Sequence, residues 1–129
     1  MNTSFFGNLK NIGNPLSISR VPPDWYQGSQ LKLLAPPYEL LKAAHAGLSA
    51  TDYEKEFSRH VLNYLDPKEV YEAICEEHGE DVTLLCFETL EKPGEFCHRR
   101  MVAKWLEETC EVKIPEWTPP QKLSRALIW

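Results

Sequence analysis

Between residues 84 and 100 the chain reads Leu84-Leu85-Cys86-Phe87-Glu88, then Lys92-Pro93-Gly94-Glu95-Phe96, then Cys97-His98-Arg99-Arg100. Thiols, a carboxylate, an imidazole and guanidinium groups in one stretch are the parts of nucleophilic catalysis. A thiol of lowered pKa attacks, a histidine takes its proton, and arginines hold an anion. Cys97 stands where a helix is expected to begin, and the free N–H groups and dipole of a helix start favour an anion or a thiolate. On a helical wheel, His98, Val102, Trp105 and Thr109 fall within about 60° of one another, flanked by Met101 and Leu106. His98 is therefore expected to point inward. Arg99 borders the buried arc, and Arg100 points to solvent with Lys104 and Glu107.

Two strands must carry these groups to one place. Val82-Thr83-Leu84-Leu85-Cys86-Phe87 is apolar almost without alternation, which predicts a central, parallel strand covered on both faces. Leu16-Ser17-Ile18-Ser19-Arg20 alternates and then meets Pro22-Pro23, which predicts a short strand stopped by residues that lack the ladder donor. If the two are parallel neighbours, Arg20, Cys86, Glu88, Cys97, His98 and Arg99 converge beyond the strand ends, where ligands bind in sheets of this kind. Cys97, His98, Cys86 and Glu88 are then the candidate catalytic residues. Arg20 and Arg99 are the candidate anion-binding residues. Trp25 and Tyr26, in the proline-rich loop 21–36, are placed to stack a ring.

The remaining elements follow from local signals. A first helix is expected from Pro37 to Gly47. A second opens on a capping box at Thr51-x-x-Glu54, with Tyr53, Phe57, Val61, Tyr64 and Leu65 on one face. A third has Asp66 as cap and Pro67 in its first turn, buries Val70, Tyr71 and Ile74, and stops at Gly79. A fourth covers residues 97–109. Residues 1–15 read as an extended piece around Phe5-Phe6 followed by turns, and Val112-Lys113-Ile114 as a last edge strand. The expected fold class is a single α/β domain with a small, mainly parallel sheet flanked by helices in a three-layer, Rossmann-like arrangement. It occupies residues 1–114 and is followed by a proline-rich extension over residues 115–129 that ends in Leu127-Ile128-Trp129.

Each of these residues also has a structural reading. Cys86 can serve as a small core hydrophobe, His98 as a hydrogen-bonded core histidine, and Arg99 as the partner of Glu88 or Glu95; together they would fasten helix to strand. Trp25 and Tyr26 can fill space above the sheet. A metal site is a third reading, since Cys75, His78, Cys86, Cys97, His98 and Cys110 are ligand types. Against it, the spacings match no standard zinc pattern and Cys97 and His98 diverge on the wheel. No metal and no cofactor are therefore expected.

Composition narrows the classes further. The chain has 129 residues, 43% of them hydrophobic, enough for one domain with a real core. The net charge of −5 is unevenly placed, about +2 over residues 1–50 and −7 over residues 51–129. Duplex nucleic acid is not an expected partner, because its binding needs many phosphate contacts. No apolar run approaches the length of a membrane span. The first residues, Met-Asn-Thr-Ser-Phe-Phe-Gly, do not read as a signal peptide, so a cytoplasmic setting is expected. The four cysteines, none in a C-x-x-C pair, are accordingly expected as thiols.

The stretch LLCFETLEKPGEFCHRRMVAKWL resembles the signature of the Domain of Unknown Function 488 family, in which a strand ending Leu-Cys-aromatic-Glu is followed by a loop and a Cys-His-Arg helix start. SISR, PPDWYQGSQLKLLAP and LNYLDPKEVYEAI match the family's shorter members, so the resemblance covers most of residues 3–107. It implies an α/β fold and a bacterial or phage cytosolic setting, but no particular reaction. The expected function is an enzyme-like pocket for a small phosphorylated or nucleotide-like anion. The alternative is a non-catalytic module in which the Trp25/Tyr26 loop and the apolar tail engage a protein or single-stranded nucleic acid.

Overall fold

Four parallel strands form one sheet in the order β1-β4-β2-β3, where β1 is Asn2–Phe5, β2 Pro15–Ser17, β3 Ser29–Gln30 and β4 Thr83–Cys86. The computed structural model describes residues 1–88, 90 and 96–119; the Lys92-Pro93-Gly94-Glu95 stretch and the Leu127-Ile128-Trp129 tail lie outside the described residues. β4 is central and buried at every position, as its apolar run requires. Its neighbours are β1, with Phe5 opposite Cys86, and β2, with Leu16 opposite Leu84. The predicted pairing of β2 with the central strand is thus present and parallel.

Four α-helices follow: α1 (Tyr38–His45), α2 (Ala50–His60), α3 (Pro67–His78) and α4 (His98–Cys110). All four contribute to one core, in which Leu40, Phe57, Ile74, Val102 and Leu106 pack with Leu16 and Leu84 of the sheet. Leu85 points the other way, into a smaller cluster with Phe6, Ile12 and Tyr26. The third layer is therefore thin, built from the 3₁₀ helix Phe6–Asn11 and the loop that carries Tyr26. No helix among the described residues is long and apolar enough to cross a membrane.

Local chemistry explains the boundaries. Asp66 caps α3 by accepting from the Lys68 N–H at 3.0 Å, with Pro67 in the first turn, and Gly79 ends the helix at φ 90°, a region that favours glycine. α2 starts earlier than the capping box implied, because Ser49 rather than Thr51 accepts from the Asp52 N–H, at 3.1 Å. α2 also ends at His60, and residues 62–64 tighten into a 3₁₀ turn. The helical wheel no longer holds there, so Tyr64 is 81% exposed instead of lying in the core. Thr109 is likewise exposed, and Tyr71 is half-buried.

The expected edge strand at residues 112–114 does not form. The Ile114 N–H donates to the Glu107 carboxylate at 2.8 Å, which takes the donor a ladder would need. The following residues run beside β1 instead. Thr3 N–H donates to the Pro115 carbonyl at 3.0 Å and the Trp117 N–H to the Thr3 carbonyl at 2.6 Å, with one parallel bridge between Thr3 and Glu116.

Candidate functional site

β2 and β4 end side by side, and the chain leaves both at the same end of the sheet. The Ile18 N–H still donates to the Leu85 carbonyl at 3.0 Å. Ser17 Oγ then accepts from the Ser19 N–H at 3.3 Å, a side-chain bond that turns the backbone out of the ladder. Ser19 and Arg20 are thereby swung toward the exit of β4, where Cys86, Phe87 and Glu88 emerge. A cavity of about 620 Å³ opens here. Ser19, Arg20, Cys86, Glu88 and His98 supply its polar lining, together with Tyr53 of α2 and His45 of α1. Val21, Pro36, Tyr38, Leu41, Ala44, Phe87 and Phe96 make the rest apolar and partly aromatic.

His98 is the most constrained group in this lining. Its ring is buried, lies edge-on to Phe57 at 5.5 Å, and donates from Nε2 to the Ile18 carbonyl at 2.7 Å. A carbonyl only accepts, so the proton sits on Nε2 and the lone pair on Nδ1. The pKa of His98 is pushed down to about 4, mainly by burial and to a lesser extent by the charge of neighbouring Arg99, against the raising effect of the Ile18 bond. At neutral pH the ring is a neutral imidazole of fixed tautomer. Burial also raises the Tyr53 pKa, helped by the negative charge of Glu88, so the phenol stays protonated as a donor.

Cys97 and His98, which diverge on the wheel, lie side by side here. Cys97 is the cap of α4 with an extended backbone (φ −145°, ψ 143°), so it does not lie on the helical wheel at all. Its sulfur is bonded to that of Cys86 as a disulfide, and its Sγ is 3.9 Å from His98 Nδ1. The expectation of four separate thiols is corrected for this pair, while Cys75 and Cys110 are free. Cys86 faces the large cavity. Cys97 sits behind it and borders a shallower groove with Leu90, Arg100, Met101 and Lys104. Cys86 Sγ, Cys97 Sγ and a His98 nitrogen all lie within 4.8 Å of one another, and all three residues are buried. The wheel argument against a shared ion therefore does not apply.

Arg99 is placed differently from the expectation. It is 0% exposed and does not line the cavity. Its guanidinium donates to both carboxylate oxygens of Glu116, with Nη2 at 2.6 Å from Oε1, and its Nη1 donates to Cys86 Sγ at 3.2 Å and to the Glu88 carbonyl at 2.5 Å. Arg100, expected in solvent, is half-buried, because it donates to Thr3 Oγ1 at 2.9 Å and to the Ile114 carbonyl at 2.8 Å. Both arginines thus fasten residues 114–116 to the sheet.

Trp25 and Tyr26 do not line the cavity either. Tyr26 is buried against Phe6 and donates to the Ser29 carbonyl at 2.6 Å, whereas Trp25 stays 59% exposed with its ring 6.4 Å from that of Phe6. Sequence reasoning missed Glu116, Tyr53 and His45. Tyr53 was read only as core, and its phenol oxygen was the available hint: a tyrosine on a buried face brings a polar tip that needs a place to go. His45 and Glu116 carry no local signal of their roles.

No curated protein and no solved structure matches the chain. Residues 10–110, from just before β2 to the end of α4, match the family described as "Active DUF488-N3 subclade". The chain, with its Cys86-to-Arg100 segment at the heart of the matched region, belongs to this DUF488 family.

Proposed function

We propose that the chain is an enzyme-like protein whose cavity at the strand ends takes a small phosphorylated or nucleotide-like ligand. The observation that carries this reading is the joint presentation of Cys86 and a tautomer-fixed His98 in one cavity of about 620 Å³ beyond two parallel strands. That volume lies in the range of small-molecule sites, and the position is where ligands bind in open α/β sheets. The ring-lined wall of Tyr38, Tyr53, Phe87 and Phe96 suits a flat apolar body. Arg20 and His45 supply positive charge or donors for the anionic end. Arg99 Nη1 donates to Cys86 Sγ at 3.2 Å and so fixes that sulfur at the cavity wall. Cys86 replaces Cys97 as the sulfur nearest the ligand, and His98 acts through Nδ1. The description of the family as active agrees with a working site.

Calorimetric titration with a nucleoside 5′-monophosphate, the matching nucleoside and inorganic phosphate tests the reading. The monophosphate should bind more tightly than the nucleoside. Arg20→Ala should weaken the monophosphate by about 10-fold or more, the scale of one hydrogen bond to a charged group. Equal binding to both proteins, or none to either, would count against it. A non-catalytic module is the second reading, favoured by the exposed Trp25 on its loop. It requires Trp25→Ala to abolish binding of single-stranded nucleic acid or protein while Arg20→Ala has no effect.

A further inference from the structure

The sulfur pair at the cavity wall has more partners than a lone nucleophile needs. Cys86 ends a buried strand, Cys97 caps a helix, and His98 follows it, so three rigid positions converge from two elements. We propose that Cys86 Sγ, Cys97 Sγ and His98 Nδ1 form a binding site for one thiophilic divalent cation of the Zn²⁺ type, with its fourth coordination position open to the cavity.

Four observations support the site. First, the donor atoms lie within 4.8 Å of one another, and Cys97 Sγ is 3.9 Å from Nδ1. Ligand atoms on a tetrahedral ion stand about 3.5–3.8 Å apart, given metal–sulfur and metal–nitrogen lengths of about 2.3 and 2.0 Å, so Cys97 Sγ and Nδ1 are already near that spacing and the two sulfurs reach it once their bond is reduced. Second, the Cys86 and Cys97 Cα atoms are 7.1 Å apart. A stable bridge draws Cα atoms to about 4.4–6.8 Å, whereas two thiolates sharing an ion need no such approach.

Third, the surrounding groups orient the donors. His98 donates its Nε2 proton to the Ile18 carbonyl, leaving the Nδ1 lone pair for a metal, and Arg99 donates to Cys86 Sγ as an outer partner of a thiolate. Fourth, the charges balance. Two thiolates neutralise the dication and Glu116 neutralises Arg99, so an ion adds no net charge to the buried site. A thiol reductant first gives the bonded pair two electrons and two protons, becoming a disulfide itself; on metal binding each resulting thiol releases its proton to solvent, and Nδ1 gives its lone pair without losing a proton. Cys86 and His98 both line the cavity, so an ion between them meets the ligand directly. The open position rests on the cavity being the ligand site, but the ion's affinity does not.

The test uses the full chain, reduced and freed of metal, titrated with Zn²⁺ and separately with Co²⁺. One ion per chain is expected, with thiolate-to-cobalt charge-transfer absorption and the visible bands of a tetrahedral centre. Cys86→Ser, Cys97→Ser and His98→Gln should each weaken Zn²⁺ by more than about 100-fold, since even outer-shell partners cost about 10–100-fold. Cys75→Ser and Cys110→Ser should leave binding unchanged. Circular dichroism of each variant establishes that it is folded, and the milder Arg99→Lys, expected to weaken Zn²⁺ by about 10-fold, covers a ligand variant that fails to fold. A folded, reduced chain that binds no Zn²⁺, or binds it equally well without Cys86 and Cys97, overturns the proposal. Titration of the metal-free chain with a nucleoside monophosphate separates the two readings. Nucleotide binding without Zn²⁺ binding sinks only the metal site, and the reverse sinks only the ligand assignment.

Discussion

Arg20 and Arg99 flank the same strand end and do opposite things. Arg20 follows β2 onto the exposed rim of the cavity, and among the described residues it makes no ion pair. Arg99 is sealed, held by a fork to Glu116 and bonds to Cys86 Sγ and the Glu88 carbonyl. A guanidinium that reaches water can exchange its solvent shell for a ligand's phosphate. One already saturated with protein acceptors cannot, and its value lies in orienting what it touches. The basic stretch around the Cys-His-Arg motif is therefore two devices, an open contact and an internal clamp.

The clamp should show the largest effect when broken. Glu116→Gln leaves the buried Arg99 charge without its counterion and should cost about 3 kcal/mol in urea denaturation, the low end for a buried pair because Glu116 itself reaches solvent. Arg20→Ala should change stability by less than about 0.5 kcal/mol. Similar losses for both would erase the distinction between clamp and contact.

Acid sharpens the same contrast through His98, in the metal-free chain. Its folded pKa of about 4 lies below the ordinary 6.5, so on acidification the unfolded chain takes up the proton first. Stability from this group is complete above about pH 6.5 and falls as the pH drops toward 4. The loss between about pH 7 and pH 4.5 should be about 2 kcal/mol, and denaturation of His98→Gln should lack that part of the slope. A smaller effect is expected at the rim. Arg20→Ala should weaken a nucleoside monophosphate by about 10-fold, or about 1.4 kcal/mol. The smallest is at Trp25, which packs outside the cavity: Trp25→Ala should leave that affinity within about twofold, a change of about 0.4 kcal/mol.

What the sequence revealed followed from local patterns. The apolar run at residues 82–87 pointed to a strand covered on both faces, and Asp66-Pro67 to a helix start. The inward turn of His98 followed from helix geometry alone. What escaped it depended on distant partners. Arg99 sits at the edge of its wheel's buried arc, and its complete burial is possible only because Glu116 returns along β1 to neutralise it. The prolines of residues 115–129 mark an extension outside regular structure, yet a single bridge to Thr3 suffices to bring the Glu116 carboxylate home. The closeness of Cys97 Sγ to His98 Nδ1, at 3.9 Å, was hidden for another reason. A cap residue has extended backbone, so a wheel drawn through Cys97 sends its side chain the wrong way.

The cavity's role is tested most directly by amide chemical shifts during titration with a nucleoside monophosphate. The expected changes fall on Ser19, Arg20, Val21, Tyr53, Phe87 and His98, with Trp25 and the β1 edge unmoved. Changes centred on Trp25, or none at saturating nucleotide, would contradict the assignment.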